Sequence, residues 1–354
     1  MRLAPRLSSL TLPWPCDWDA LFADDAPAGG PLILEIGFGY GHFLKHLSAQ
    51  YPRARIVGVE IANECLVHVD KMRDRGDLPN VRAVFSRAET ALYHLFGPAS
   101  LDQIHVNFPD PWFKARHERR RLMTPANLAV MASRLKPGGM LYLATDIHDY
   151  ALMSDEALRE TAGLVNTLPA PWSDEPLPGR IVTKYERKAI AEGRERHYFA
   201  YRRDATALPD LPVITEAEMP HITLALPLTA PEIAAAFVPF SAKAAAREPR
   251  GIAGQISVNA SEAFTGRGAV LVECYVSEPT IHQHVAVMIV PIKERPGEWA
   301  VGLGTLGSPR PTDGIHFAVR QVAEWVESLH PDARVTGDKA RTGFESLAPD
   351  ARSE

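Results

Sequence analysis

The chain has 354 residues, of which 46% are hydrophobic and 23% charged, and its formal net charge is −5. This length suffices for two domains with a sizeable core, and the net negative charge means that nucleic-acid binding would have to rest on a local basic patch. The three cysteines form no CxxC or Cys/His pattern, so we predict no metal site, and their odd number suits a reducing cytoplasm. The beginning of the sequence has no apolar signal segment and no apolar run is long enough to span a bilayer, so we expect a cytoplasmic protein without membrane contact.

The first half of the chain alternates buried strands with helices. Predicted strands are LILEI (32–36), RIVGVE (55–60), VRAVFS (81–86), QIHVNF (103–108) and MLYLAT (140–145), with helical patterns after each of them. Strand–helix alternation with short connections predicts an α/β fold with a doubly wound, mostly parallel, Rossmann-like sheet. The alternating stretch 197–203 predicts an edge strand, so this domain should span 1–203, with its core starting at about residue 30.

The second half has a different pattern. Residues 204–212 are rich in turn formers and predict a linker. Residues 213–333 predict a smaller α+β domain of unknown role, with four antiparallel strands and flanking helices. The polar tail 334–354 is typical of a disordered segment.

A glycine-rich turn follows the first predicted strand. Gly37, Gly39 and Gly41 let a ligand approach the backbone, and a helix N-terminus follows them. Glu60 ends the second strand, where an acid accepts hydrogen bonds from ribose hydroxyls in folds of this kind. These signals favour a nucleotide-type cofactor over a plain turn but do not separate NAD from S-adenosylmethionine. His42 stands where the dinucleotide fingerprint has its last glycine, which weakens the NAD alternative.

The segment NFPDPW ends the fourth predicted strand and holds Asp110 between two prolines. Pro109 and Pro111 fix their own φ angles and are expected to restrict Phe108 and Asp110 to extended conformations. Such rigidity suits a carboxylate that must be aimed, whereas the plain alternative is an exposed turn.

Two basic stretches follow, although the whole chain is net acidic. Residues 114–121 carry five Lys or Arg and one Glu, and residues 180–203 carry eight Lys or Arg and three Glu. Either stretch alone is often a solvated face, but together beside a strand-end acid they favour an RNA substrate. Asp146 and Glu186 are carboxylates that can accept hydrogen bonds from the N1–H and amino groups of guanine.

The motifs LEIGFGYGHF, VGVEI, NFPDPWFKARHERRRL, ATD and TKYE resemble those of the bacterial tRNA (guanine-N7)-methyltransferases over residues 30–203. The resemblance implies a class I S-adenosylmethionine-dependent fold that methylates N7 of a guanosine in the tRNA variable loop. It assigns catalysis to Asp110 and cofactor binding to Glu35, Gly37, Gly39, Glu60 and Asp110. It assigns substrate binding to Lys114, Asp146, Thr183, Lys184, Tyr185 and Glu186, and RNA contact to Arg116, His117, Arg119, Arg120 and Arg121.

One position departs from the family pattern. Arg87 stands where the family usually has an Asp or Asn that contacts the adenine. The contact is then expected at Arg87 itself, from the backbone of Ala88, or from Glu89. Two rival functions remain: a non-catalytic RNA-binding protein that keeps the nucleotide fold, and a small-molecule methyltransferase. We expect a monomer or weak homo-oligomer.

Overall fold

The computed structural model describes residues 7–24, 29–112, 121–182, 184–246 and 254–347. The chain divides into two compact units, Met1–Ile214 and Thr215–Glu354. Among the described residues, no helix is both long enough and apolar enough to cross a membrane.

The first unit contains an eight-stranded sheet, which confirms the predicted Rossmann-like class. The strands are β1 (Leu7–Ser8), β2 (Leu32–Ile36), β3 (Arg55–Glu60), β4 (Val81–Phe85), β5 (Leu101–Asn107), β6 (Leu135–Thr145), β7 (Leu164–Asn166) and β8 (His197–Arg203). Their order is β1-β4-β3-β2-β5-β6-β8-β7, and only the pairings of β8 with β6 and β7 are antiparallel. The stretch 197–203 is therefore next to the edge rather than at it, because the three-residue β7 covers it and is too short to show a strand pattern.

Helices connect these strands. They are α1 (Trp18–Leu21), α2 (His42–Gln50), α3 (Asn63–Asp74), α4 (Ala88–Thr90) with a π-helical turn at Ala91–Leu95, α5 (Pro125–Arg134), α6 (His148–Glu160) and α7 (Lys184–Ala191). In α2, the helical spacing of Phe43, Leu44 and Leu47 puts all three side chains in the core. At α5, the Thr124 side chain accepts a hydrogen bond from the Asn127 backbone N–H, and Pro125 starts the helix.

The strand order reverses at β2, which lies between β3 and β5. The carboxyl ends of β2, β3, β5 and β6 share one edge of the sheet because these strands run parallel. In open α/β sheets, ligands bind outside this edge at such a reversal point. The fold therefore places Glu35, Glu60, Asn107 and Asp146 at or beside this edge.

The segment expected to be a linker is bonded to the first unit. Arg134 donates a hydrogen bond of 2.5 Å from Nη1 to the carbonyl oxygen of Leu211. The backbone N–H of Ile214 donates to the carbonyl oxygen of Tyr93 at 3.0 Å, and His94 Nδ1 lies 3.0 Å from the Ile214 carbonyl oxygen. The first unit thus extends to Ile214.

The described residues of the second unit form a seven-stranded antiparallel sheet and two helices. The strands are β9 (His221–Ala225), β10 (Phe240–Ala245), β11 (Gln255–Gly266), β12 (Ala269–Ser277), β13 (His282–Pro291), β14 (Glu298–Leu303) and β15 (Arg334–Asp338), and the helices are α8 (Ala230–Ala235) and α9 (Asp313–Glu327). Their order is β10-β11-β12-β13-β14-β9-β15. Strands β11 to β14 occupy the four predicted stretches, whereas β9, β10 and β15 had no prediction.

The prediction that 334–354 is disordered is wrong for its first residues. Strand β15 pairs antiparallel with β9, for example Val335 with Leu224. Four of its five residues are exposed, and Gly337 is half-buried. Main-chain hydrogen bonds hold such a strand at a sheet edge, so its side chains show no buried alternation for sequence reading to detect.

Candidate active site

The glycine turn after β2 adopts the conformation that its sequence predicts. Gly37, Gly39 and Gly41 have φ angles of 72°, 53° and 75°, in the left-handed region that favours glycine. A Cβ at Gly41 would lie 2.5 Å from Cγ2 of Val69, so α3 packs directly against this residue. A Cβ at Gly37 would meet no atom within 4 Å, which leaves open space beside the turn.

Glu60 connects the glycine turn to the start of α3. Its Oε2 accepts a hydrogen bond of 3.0 Å from the Gly39 backbone N–H. Its Oε1 accepts from the backbone N–H groups of Ile61 at 2.7 Å and Ala62 at 3.1 Å. The side chain therefore shapes the turn, and since a carboxylate has about four lone-pair sites, one acceptor site remains for a ligand.

Glu35 is a buried acid at the reversal point of the sheet. It is 1% exposed, and Asn107 Nδ2 donates to its Oε1 at 3.2 Å, while its Oε2 has no hydrogen-bond partner. Burial raises the pKa of Glu35 to about 8, against smaller lowering effects of Asn107 and Arg180. A buried carboxylate oxygen without a donor is costly, and such groups are characteristic of ligand sites.

A buried polar network continues from Glu35 to α7. Arg180 donates from Nη2 to Oδ1 of Asn107 at 2.7 Å, and its Nε lies 3.9 Å from Oε2 of Glu186. Glu186 is fully buried, and its Oε1 accepts a hydrogen bond of 2.5 Å from the Tyr198 hydroxyl. Burial lowers the pKa of Arg180, and the charge of Glu186 opposes that shift.

Sequence reasoning missed Asn107 and Arg180. Asn107 is the first residue of the NFPDPW segment and ends β5, the strand beside β2, which was the available signal. Arg180 was counted in a basic stretch expected to face RNA, but its side chain is only 6% exposed. Its hydrogen-bond partner Asn107 lies 73 positions away in sequence, so no local pattern reveals this burial.

The corner that carries Asp110 differs from its prediction at Phe108. Phe108 has a φ of 52° and Trp112 a φ of 42°, both in the left-handed region, so the expectation of an extended Phe108 is wrong. Positive φ at bulky residues is strained, and such strain concentrates at functional sites. Asp110 itself is exposed. Beyond the corner, Arg121 donates from Nε to the Trp112 carbonyl oxygen at 3.3 Å.

Asp146 follows β6, and its carboxylate forms an ion pair with Arg194. Its Oδ2 pairs with Nη1 of Arg194, and Nη2 of Arg194 lies 2.7 Å from Oε2 of Glu192. The side chain of Asp146 is 12% exposed. Guanine binding by Asp146 would therefore require Arg194 to release this carboxylate.

Several predicted site residues lie outside the described ranges. These are Lys114, Arg116, His117, Arg119, Arg120 and Thr183; for Lys184 and Tyr185 only the helical backbone is described. Arg87 lies directly before α4, and its Nε is 3.6 Å from Oε2 of Glu89. Ala88 begins α4, so all three candidates for the adenine contact stand at one helix start.

Comparison with known proteins identifies the family. A model of a putative methyltransferase family matches residues 29–199. The tRNA (guanine-N(7)-)-methyltransferase of Burkholderia ambifaria is 40% identical over 189 residues, which cover 53% of this chain and 72% of that protein. The chain belongs to the bacterial tRNA (guanine-N7)-methyltransferase family.

A second relative and a solved structure are also similar to this chain. The tRNA (guanine-N(7)-)-methyltransferase of Cupriavidus pinatubonensis is 37% identical over 193 residues, covering 54% of this chain and 73% of that protein. Among solved structures, the 16S rRNA methyltransferase KamB is similar with a TM-score of 0.41 and 16% identity, covering 56% of this chain and 99% of its own. The family match ends before residue 214, so the second unit lies outside it.

Proposed function

We propose that this chain transfers the methyl group of S-adenosylmethionine to N7 of a guanosine in the variable loop of tRNA. The observation that carries the proposal is Glu35. It is a buried carboxylate with a free acceptor oxygen, beside an open glycine turn at the reversal point of the sheet, in a chain of this family. Because Oε2 lacks a donor inside the protein, an ammonium group from a ligand would complete its hydrogen bonding.

The side chains present fit S-adenosylmethionine. Glu35 would accept from the amino group of the methionine part, and the backbone at Gly37 leaves room for close approach. Glu60 would use its remaining acceptor site for the ribose hydroxyls. The start of α4 at Arg87 and Ala88 would border the adenine. When bound, this cofactor supplies an electrophilic methyl group attached to a positively charged sulfur.

Asp110 is assigned to the reacting base. Guanine N7 carries an in-plane lone pair and no proton, so the reaction needs no general base at that atom. The carboxylate of Asp110 accepts hydrogen bonds, holds the base, and stabilises the positive charge that develops on the purine ring. Correct positioning of two reactants contributes about 7–11 kcal/mol in well-oriented systems, which is why a strained corner at Phe108 and Trp112 suits this residue.

The guanine-binding assignments divide into two kinds. Asp146 is partly accessible and becomes an acceptor for guanine once Arg194 moves to Glu192, which already lies near it. Glu186 is occupied inside the protein by Tyr198 and Arg180, so we assign it a positioning role in this conformation. Its direct contact with guanine stays a prediction, as do the contacts of Lys114 and Thr183 to Tyr185.

The RNA interface is proposed at the basic run 114–121 that follows the Asp110 corner. Seven residues of the run lie outside the described ranges, and Arg121 is half-buried against the Trp112 carbonyl oxygen. Lys and Arg at this place would contact the phosphate backbone next to the target base. We also propose that the protein acts in the cytoplasm as a monomer or weak homo-oligomer.

The deciding experiment incubates the full chain with tRNA and S-adenosylmethionine and analyses the digested nucleosides for 7-methylguanosine. A matched tRNA with 7-deazaguanosine at the target position, which has a C–H in place of N7, should bind equally well and accept no methyl group there. Filter binding of tRNA without product formation would instead support the RNA-binding alternative. If the chain did not bind tRNA but methylated small molecules, the result would support the small-molecule methyltransferase alternative.

A further inference from the structure

Three side chains of metal-ligand type meet at the carboxyl edge of the first unit's sheet. His148 begins α6, Glu195 precedes β8, and His197 is the first residue of β8. Their ligand atoms all lie within 4.8 Å of one another, and His148 Nδ1 is 4.0 Å from Oε2 of Glu195. The antiparallel pairing of His197 with Thr145 of β6 brings β8 to the start of α6.

His197 has two buried ring nitrogens that nothing in the protein uses. The residue is 2% exposed, and neither Nδ1 nor Nε2 makes a hydrogen bond. Its nearest acid, Asp174, lies 3.6 Å from Nδ1, too far for a hydrogen bond. A buried imidazole with no hydrogen bond at either nitrogen points to a ligand.

Aromatic neighbours pack around the buried ring of His197. Trp172 contacts the ring of His197 edge-on at a centroid distance of 5.1 Å and that of His148 at 6.1 Å. The two imidazole centroids are 5.3 Å apart. His197 is therefore a fixed ligand, whereas the side chains of His148 and Glu195, exposed by 54% and 79%, are free to rotate toward it.

The distances suit a small, imidazole-preferring ion after a modest adjustment. Tetrahedral Zn²⁺ with bonds of about 2.0–2.1 Å has ligand atoms about 3.3 Å apart, so the two exposed side chains must close by up to about 1.5 Å. Two imidazoles and one carboxylate favour Zn²⁺ and related transition metals over Mg²⁺ or Ca²⁺, which prefer oxygen ligands. Water or the Asp174 carboxylate is available for a fourth position.

We propose that His148, Glu195 and His197 bind one divalent transition-metal ion of the Zn²⁺ type. The sequence predicted no metal site because His148 and Glu195 are 47 positions apart and neither lies in a spaced ligand motif. The bound ion would join the start of α6 to the start of β8. It would thereby fix the turn that carries Arg194, the partner of Asp146.

The test uses the full chain without an affinity tag, Zn²⁺ as the titrant, and equilibrium dialysis to measure stoichiometry and affinity. His148→Ala and Glu195→Ala are the informative variants, because both side chains are exposed and their removal should leave the fold intact. Loss of an outer-shell partner alone weakens metal binding about 10–100-fold, so loss of a direct ligand should raise the Zn²⁺ dissociation constant at least as much. His284→Ala is the matched control, since it removes an exposed histidine paired with Glu273 in the second unit.

We expect one Zn²⁺ per wild-type chain, a visible absorption band when Co²⁺ replaces it, and a rise in Tm on Zn²⁺ addition that is absent in both variants. His284→Ala should behave as wild type. No stoichiometric binding to wild-type protein, or equal affinity in His148→Ala and Glu195→Ala, would overturn the proposal. Either result would leave the methyltransferase assignment untouched, because these measurements do not depend on activity.

Discussion

The two units of the chain treat buried polar groups differently. Among the described residues, all buried side-chain nitrogen and oxygen atoms without a hydrogen-bond partner belong to the first unit, Met1–Ile214. Several of them, in Glu35, Arg180, Arg194 and His197, lie at or beside the carboxyl edge of its sheet. Unsatisfied buried groups cost stability, so we propose that the ones at this edge belong to a ligand site.

A pair of buried glutamates shows the contrast most clearly. Glu278 of the second unit accepts hydrogen bonds from the Thr312 hydroxyl and, at 2.9 Å, from the Gly314 backbone N–H at the start of α9. Glu35 of the first unit has one oxygen without any partner. A buried glutamate thus accepts hydrogen bonds at a helix N-terminus in the second unit, whereas the buried glutamate of the first unit keeps one oxygen open to a ligand.

The largest effect is expected at the exposed Asp110. Asp110→Ala should lower kcat about 100-fold or more, because it removes the group that holds the charged purine ring, while the fold stays intact. Steady-state kinetics with tRNA measure this, and Asp332→Ala, which removes an exposed acid of the second unit, is the control. Near-normal 7-methylguanosine formation by Asp110→Ala would show that the assigned role is wrong.

Glu35→Gln should weaken cofactor binding but not the fold. A hydrogen bond to a charged group contributes about 1.5–3 kcal/mol, so the dissociation constant for S-adenosylmethionine should rise about 10–100-fold. Isothermal titration at pH 8.5 measures it. An unchanged affinity would remove Glu35 from the cofactor site.

The same variant tests the pH dependence of stability. The pKa of Glu35 is raised from 4.5 to about 8 in the folded state, so the folded state holds more protons between these values. The contribution of Glu35 to the free energy of unfolding is fully present below about pH 4.5 and is lost as the pH rises through about 8. Urea unfolding measures this on the transition that S-adenosylmethionine shifts. Its free energy of unfolding should fall over this pH range in wild type and fall less in Glu35→Gln. Parallel pH curves would contradict the raised pKa.

Substitutions in the basic run 114–121 should affect RNA binding alone. Arg119→Glu with Arg120→Glu should weaken tRNA binding about tenfold and lower the salt slope of log K by about 0.7–0.9 for each lost phosphate contact. Filter binding over a range of salt concentrations measures both. Arg267→Glu with Arg334→Glu makes the same change in net charge on exposed residues of the second unit and should have little effect. An unchanged slope in the first variant would place residues 119 and 120 outside the RNA interface.

Glu278→Gln should have the opposite profile to Glu35→Gln. Replacing a charge-assisted hydrogen bond with a neutral one should cost the second unit about 1 kcal/mol of unfolding free energy, while cofactor affinity stays unchanged. Urea unfolding and isothermal titration measure the two quantities. A loss of cofactor affinity would show that cofactor binding also depends on the second unit.

The smallest effect is expected from removing the second unit. A fragment of residues 1–214 should fold, bind S-adenosylmethionine and methylate tRNA, with a change of a few-fold confined to KM, because each assigned site residue precedes residue 204. It must extend to Ile214, since Leu211 and Ile214 are bonded to Arg134 and Tyr93. A folded, cofactor-binding fragment with no turnover at saturating tRNA would show that the second unit takes part in catalysis.

Much of the first unit could be predicted because its signals are local. Strands such as β2 and β3 are mostly apolar runs buried on both faces, and the glycines after β2 have positive φ angles. The second unit was harder, since β9, β10 and β15 are short or largely exposed and their pairing depends on distant residues. Edge strands are selected by main-chain hydrogen bonds that any side chain permits, so composition does not reveal them.

The sequence by itself determined the class of fold, the glycine turn, the acids at strand ends and the basic run, because each is a short-range pattern tied to one strand end. Only the tertiary structure decided which of these polar groups have hydrogen-bond partners inside the protein. Asn107 bonds Glu35, Arg180 bonds Asn107, and Tyr198 bonds Glu186 across separate elements. It also brought His148 to His197 by pairing β8 beside β6. Burial and hydrogen bonding depend on which elements meet in space, and that is a property of the whole sheet rather than of any one segment.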